Sequence, residues 1–182
     1  MSRPLLSVCL ITYNQENYIQ KAIESVFAQE TNFNIEFIIS NDCSSDNSHE
    51  KIEEIIKKAP KNFSVRYFNH QQNLGAMKNF QFALNQCSGK YIAYFEGDDY
   101  WEYSEKLQAQ VDFLEQNPDF AICCHNLKFL EGNNLTEQVY IDKANIKDVS
   151  SIEDLAKFNL IPTLTAVFRN VENKLPSWIL NS

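Results

Sequence analysis

No apolar run in this 182-residue sequence approaches the ~20 residues that cross a bilayer. The opening Met1-Ser2-Arg3-Pro4 leads at once into a strand pattern and is too short for a signal peptide. Positive charge is scarce: 16 Lys and Arg stand against 24 Asp and Glu, a net charge of −8. That deficit argues against nucleic acid as a partner, because nonspecific binding displaces counterions with a basic surface. The five cysteines (Cys9, Cys43, Cys87, Cys123, Cys124) are odd in number and form no CxxC pair. They fit buried thiols in a reduced, cytoplasmic protein better than a disulfide framework or a zinc site, and peripheral attachment at the inner face of the membrane stays compatible. There is no GxxxxGK[ST] and no GxGxxG, so P-loop and dinucleotide-binding readings lose their main support. Repeats, low-complexity tracts and flexible linkers are missing as well. His49 and His70 fall in no pattern, and His125 reads as a satisfied histidine in a strand.

What is present is 44% hydrophobic and 13% aromatic residues, enough to bury the core of one globular domain. Residues 5–13 (LLSVCLITY) form a near-continuous apolar run, the pattern of a strand covered on both faces. Asn14 is suited to cap a following helix in which Ile19, Ala22, Ile23, Val26 and Phe27 recur at helical spacing. Residues 33–40 make a second strand, and Asp46 or Ser48 is expected to cap a helix running to about residue 58. Residues 63–69 make a third strand, and Asn73-Leu74-Gly75 a turn. A helix carrying Met77, Phe80, Ala83 and Leu84 then precedes a strand at 90–96. This β-α-β-α-β-α-β order predicts a largely parallel sheet with right-handed crossovers. Beyond it the pattern predicts a helix at 104–116, a strand at 120–130, a turn at Gly132-Asn133-Asn134, a short helix at 152–158 and a strand at 163–169.

Three polar clusters follow successive predicted strands: Thr12-Tyr13-Asn14, Asn41-Asp42 and Glu96-Gly97-Asp98-Asp99. A parallel sheet gathers such loops at its carboxyl edge, where ligands bind. The last cluster ends the aromatic run 91–95 with three carboxylates in four residues. Like charges at that spacing repel, and a hard divalent cation, Mg or Mn, is the usual compensation. The bland alternative is a solvated loop, but the preceding buried strand and the following Tyr100-Trp101 favour a metal site. Gly97 lets the backbone approach a ligand closely. Asp42 is a turn former or helix cap on one reading; on the other its carboxylate accepts the imide N–H of a uracil or thymine. Tyr13 is placed to stack on that base, against the alternative of ordinary packing. Gly75 and Lys78 are either a turn with an exposed helix lysine or part of a donor pocket.

The segments SVCLITYNQENYIQKAIESVFAQ, IISNDCSSDNS, NLG and EGDDYW, in this order and spacing, resemble family 2 glycosyltransferases of the GT-A fold. They cover about the first 115 residues. A weaker match runs through 153–155, 168–170 and Leu175-Pro176-Ser177-Trp178, and is similar to bacterial members carrying EGDDYW. The resemblance implies an α/β GT-A (Rossmann-like) domain, a mixed, mostly parallel sheet with helices on both faces. It also implies inverting transfer of a sugar from a nucleotide diphosphate donor, UDP or dTDP by preference, to a glycan or lipid-linked acceptor. In that frame Thr12, Tyr13, Asn14 and Asp42 surround the base, and Gly75 and Lys78 line the donor pocket. Glu96, Asp98 and Asp99 face the metal, with Asp98 its direct ligand. The resemblance gives Glu96 a contact to the ribose or to metal-bound water, and Asp99 a contact to the metal or a role in orienting the acceptor side. Residues 1–100 would form the nucleotide-binding half and 101–182 the start of the acceptor half of one domain, truncated at its C-terminus. The general base is expected beyond Ser182, since Asp142, Asp148, Glu153 and Asp154 offer no convincing one. Two rivals remain. A sugar nucleotidyltransferase needs a Gly- and Arg/Lys-rich loop that TYNQENY does not supply. A noncatalytic nucleotide-sugar-binding module would keep the pocket and dispense with the base.

Overall fold

The structure, a computed structural model, describes residues 4–132, 134–140, 147–157 and 160–171. Along the chain run β1 (Leu6–Thr12), α1 (Ile19–Phe27), β2 (Ile35–Asn41), α2 (Ser48–Ile56), β3 (Phe63–Asn69), α3 (Ala76–Gln86), β4 (Tyr91–Glu96) and α4 (Lys106–Gln116). Short elements follow: β5 (Ile122–Cys123), β6 (Lys128–Glu131), β7 (Asn134–Val139), α5 (Ile152–Lys157), a 3₁₀ turn (Thr163–Thr165) and β8 (Val167–Arg169). The six-stranded sheet has the order β3-β2-β1-β4-β8-β5, and β6 and β7 form a separate ribbon. β1 to β4 are parallel, while β8 runs antiparallel to β4 and β5.

Every residue of β1 and β2 is buried, the polar Ser7, Thr12, Glu36, Ser40 and Asn41 included. Alternate residues serve opposite faces. Leu6, Val8, Leu10, Ile35, Phe37, Ile39 and Phe95 form one core with the apolar stripes of α1, α2 and α4. Cys9, Ile11, Ile38, Ile92 and Tyr94 form the other with Ala83 and Cys87 of the α3 segment. Full burial of a Leu or Phe here contributes about 1.5–3 kcal/mol. α3 lies on its own face because the chain reverses direction across the sheet between β3 and β4, and a right-handed crossover then lands on the opposite side. Helices therefore cover both faces, as the resemblance implied.

The second half departs from the pattern in several places. The strand expected at 120–130 is broken into β5 and β6, and His125 stands in the gap between them, outside any strand. There the Asn126 side chain accepts from the N–H of Leu127, and the Asn126 main-chain carbonyl pairs with His125 Nδ1, a local arrangement that competes with ladder bonding. The strand expected at 163–169 begins at Val167, because the N–H and hydroxyl of Thr165 both turn back to Pro162 O. Asn133, Phe158 and the Leu175-Pro176-Ser177-Trp178 segment lie outside the described residues. Cys9 and Cys87 are buried as expected, but Cys124 is exposed and Cys43 and Cys123 are intermediate. Among the described residues no helix is long and apolar enough to cross a membrane.

Candidate functional site

The parallel register ends three strands at one level. Thr12 lies opposite Asn41, and Ile11 opposite Glu96. Beyond the ladder, Asp42 N donates to Thr12 O and Gly97 N to Ile11 O, so the three polar clusters meet above β1. This is where the order reverses between β1 and β4, the place where open α/β sheets leave a crevice.

The loop after β1 is laced to the loop after β2. Asn14, with φ of 53°, accepts at Oδ1 from Ser45 N at 2.8 Å and donates its own N–H to Ser44 Oγ at 2.9 Å. It is therefore a bridge between loops and not a helix cap; α1 begins only at Ile19, with Tyr18 at the cap position. Asp46 does serve the start of α2, its Oδ1 accepting from Ser48 N at 3.0 Å, whereas Ser48 is the first helical residue and not the cap. Asn47 occupies the cap position of α2, while Asp46 Oδ2 accepts from Glu16 N and Ser48 Oγ from Gln15 N. Tyr13 stands at the mouth, 49% exposed, with no shell of its own to hide it.

Asp42 is 2% exposed, and its carboxylate is already engaged. Oδ1 accepts from Leu74 N at 2.7 Å and Oδ2 from Gly75 N at 3.0 Å, while Asn73 Nδ2 donates to Asp42 O. Gly75 has φ of 85°, the left-handed region that favours glycine, and it stands directly before α3. The sequence-predicted turn is thus tied to the end of β2 by the very carboxylate read as a base acceptor. Lys78 is exposed in the first turn of α3.

The acidic cluster closes the other side. One carboxylate oxygen from each of Glu96, Asp98 and Asp99 lies within 4.8 Å of the others. Gly97 is packed so closely that an added Cβ would lie 2.6 Å from Gln15 Oε1 and 2.8 Å from Thr12 Oγ1. Gln15 and Thr12 are themselves joined by a 2.7 Å hydrogen bond, so the acidic loop rests directly on the end of β1. Burial, then the charges of Asp98 and Glu96, push Asp99 up from 3.8 to about 6. Among the described residues no lysine or arginine forms an ion pair with the three. Three convergent carboxylates without a cationic partner fit a hard, oxygen-seeking ion such as Mg or Mn.

One consequence is measurable without any ligand. Asp99 binds its proton more tightly folded than unfolded, so its ionised form destabilises the fold above about pH 6, and the penalty vanishes below about pH 4. Asp99→Asn in chelator-treated protein should therefore raise stability at pH 7.5 by about 1 kcal/mol after screening at this half-exposed loop. The gain should disappear in melts at pH 4. A variant equally stable at both pH values would remove the repulsion argument.

Other contributors were hidden from sequence reading. Asn69 and Tyr67 accept from Asn41 Nδ2, at 3.0 Å and 3.3 Å, and so fix the ends of β2 and β3 together. Lys21 Nζ lies 3.5 Å from the Tyr100 ring centroid, and Lys106 Nζ 4.1 Å from that of Trp101. Their only sequence signal is position: Lys106 and Gln110 flank the stripe Leu107, Val111 and Leu114. Of the rejected base candidates, Asp148 and Glu153 are exposed and Asp154 is paired with Lys147; Asp142 lies outside the described residues.

Residues 7–175 match the sequence model of glycosyl transferase family 2. The chain belongs to that family. A relative is an uncharacterized protein of Mycobacterium tuberculosis, 34% identical over 164 residues, which cover 90% of this chain and 46% of that protein. The putative teichuronic acid biosynthesis glycosyltransferase TuaG of Bacillus subtilis is 28% identical over 91% of this chain and 62% of its own length. The family 2 chain thus spans about half the length of the first of these relatives. Among solved structures, S. aureus TarS 1-349 in complex with UDP superposes with a TM-score of 0.62 at 23% identity, covering 73% of this chain and 38% of that one. The mannosyltransferase PcManGT of Pyrobaculum calidifontis, in complex with GDP-Man and Mn2+, gives a TM-score of 0.66 at 15% identity, covering 93% and 45%. At such identities the likeness establishes the fold, which is the GT-A architecture expected of a family 2 chain.

Proposed function

We propose that this chain forms the donor side of an inverting glycosyltransferase, moving a sugar from a UDP- or dTDP-sugar to a glycan or lipid-linked acceptor with Mg or Mn. The observation that carries the reading is the meeting of Thr12-Tyr13, Asp42-Gly75 and Glu96-Gly97-Asp98-Asp99 at one carboxyl edge. Tyr13 offers an exposed ring to the base. The Asp42 oxygens each accept one backbone N–H and keep a lone pair with which to accept the imide N–H of the base. Gly75 and Lys78 line the pocket, and Thr12, Asn14 and Glu96 frame the ribose and base. Asp98 is the direct metal ligand, with Glu96 and Asp99 beside it.

The metal, when bound, stabilises the charge that develops on the departing diphosphate. The protein's part is to hold the donor so that an acceptor hydroxyl reaches the anomeric carbon from the opposite face. Asp99 borders the acceptor side, and the hydroxyl proton passes to a carboxylate within hydrogen-bond reach of the acceptor. Residues 1–100 then serve the nucleotide and the following residues begin the acceptor side.

The test is a thermal-shift screen of UDP, dTDP and GDP with and without Mn2+. A uracil or thymine nucleotide with Mn2+ at a hundred times its Kd should stabilise the chain by about 2.7 kcal/mol. A response to GDP alone would overturn the base assignment. No response to any of the three in the full-length protein would overturn the donor reading.

A further inference from the structure

Lys106, the first residue of α4, is 4% exposed, and its Nζ is one of two buried polar side-chain atoms without a hydrogen-bond partner among the described residues. The other is Oε1 of Gln110, one turn later, whose Nε2 donates to Cys123 O at 2.8 Å and Thr165 O at 2.9 Å. Burying an amine without an anion is costly, and a methionine would fill the same space without that cost. The contact the amine does make is with an aromatic face, 4.1 Å from the centroid of Trp101. Burial pushes the amine down to about 7, opposed weakly by Cys123. The titratable groups facing it are Cys123 at the end of β5 and His125 just beyond.

Trp101 ends the acidic loop. Its ring packs on Phe95, the last core residue of β4, with centroids 4.6 Å apart, and its indole N–H donates to Leu164 O at 2.8 Å. Two positions before it stands Asp99. On the α1 side Lys21 rests on Tyr100 in the same manner. Both cations therefore grip the loop through aromatic rings, and among the described residues they leave the three carboxylates without an ion pair.

We propose that Lys106 is a positioning residue: its amine, stacked on Trp101, sets the placement of the 97–101 loop and thereby the mutual arrangement of Glu96, Asp98 and Asp99. The inference rests on the metal reading given above. A charged amine attracts the ring's negative face more strongly than a neutral one. The loop is thus held most firmly below about pH 7. Fold stability runs the other way. The folded amine loses its proton more readily than the unfolded one, so the unfolded chain binds more protons between about pH 7 and 10, and stability rises with pH across that window. A merely structural lysine would not give a loop that loosens while the fold strengthens.

Trp178→Phe leaves Trp101 as the only tryptophan. In that background, with Asp99→Asn added to remove the carboxyl that titrates near pH 6 two positions from the indole, metal-free fluorescence should show a transition near pH 7 that is absent from Lys106→Met and from the permanently charged Lys106→Arg. At pH 7, Mn2+ affinity measured by electron paramagnetic resonance should fall about fivefold in Lys106→Met and recover in part in Lys106→Arg. Unchanged Mn2+ affinity in a folded Lys106→Met overturns the proposal. Should that variant not fold, a parent without the fluorescence transition overturns it equally. A parent that binds no Mn2+ sinks the metal reading instead, and the fluorescence transition then decides whether Lys106 holds the loop.

Discussion

Asp98→Ala should lower sugar transfer by the full-length protein by about a hundredfold or more, with the loss in Mn2+-dependent donor binding and turnover. Asp98 is exposed, and its oxygen lies within 4.8 Å of oxygens from Glu96 and Asp99. Removing it leaves two carboxylates, one of them Asp99 with a raised affinity for its proton, to hold a divalent ion. The fold should not suffer, because an exposed carboxylate facing like charges contributes repulsion and little packing. Melting temperature unchanged or slightly raised, together with lost Mn2+ response in the nucleotide screen, is the expected pair of results. Mn2+-dependent nucleotide binding at the parent level in this variant would remove Asp98 from the metal site.

Asp42→Ala should act oppositely, on stability first. Its two carboxylate oxygens accept from the backbone N–H groups of Leu74 and Gly75, 32 and 33 positions away, and the residue is almost fully buried. Alanine leaves both donors unsatisfied, and the expected loss is about 2–4 kcal/mol. Asp42→Asn is the sharper probe. It keeps one acceptor oxygen and sets an NH2 group against the other backbone N–H, so it should lose more than half as much as alanine. Urea unfolding reads both, as a lowered midpoint at constant slope. An asparagine variant as stable as the parent would mean that these two bonds do not hold the turn. Because the same turn carries Gly75 into the pocket, nucleotide affinity should fall in parallel.

These two aspartates were legible in the sequence to different depths. Asp98 stands where a buried aromatic strand runs into clustered charge, a contradiction visible within a few residues. Asp42 was visible as a polar residue at a strand end, but its grip on residues 74 and 75 was not, since no local pattern records a bond across 32 positions. Asn14 was misread as a cap for the same reason: its partners, Ser44 and Ser45, belong to another loop. The strand expected at 120–130 breaks into β5 and β6 because these lie at the sheet edge or off it, where side-chain bonds such as those of Asn126 compete with the ladder. Lys106 escaped notice because a lysine in an amphipathic helix normally faces water.

By itself the sequence determined the alternation of strands and helices, the two covered faces of the sheet and the polar residues that end each strand. These follow from apolar periodicity and turn chemistry within short windows of chain. Membership of family 2, carried by four such segments, was legible for the same reason. Tertiary structure alone decided that β1 and β4 are neighbours, that Asp42 clasps the turn before α3, and that two lysines hold the acidic loop by its aromatic rings. Those outcomes depend on which distant surfaces pack together, and the cost or gain of burying a charge is set only once its neighbours are in place.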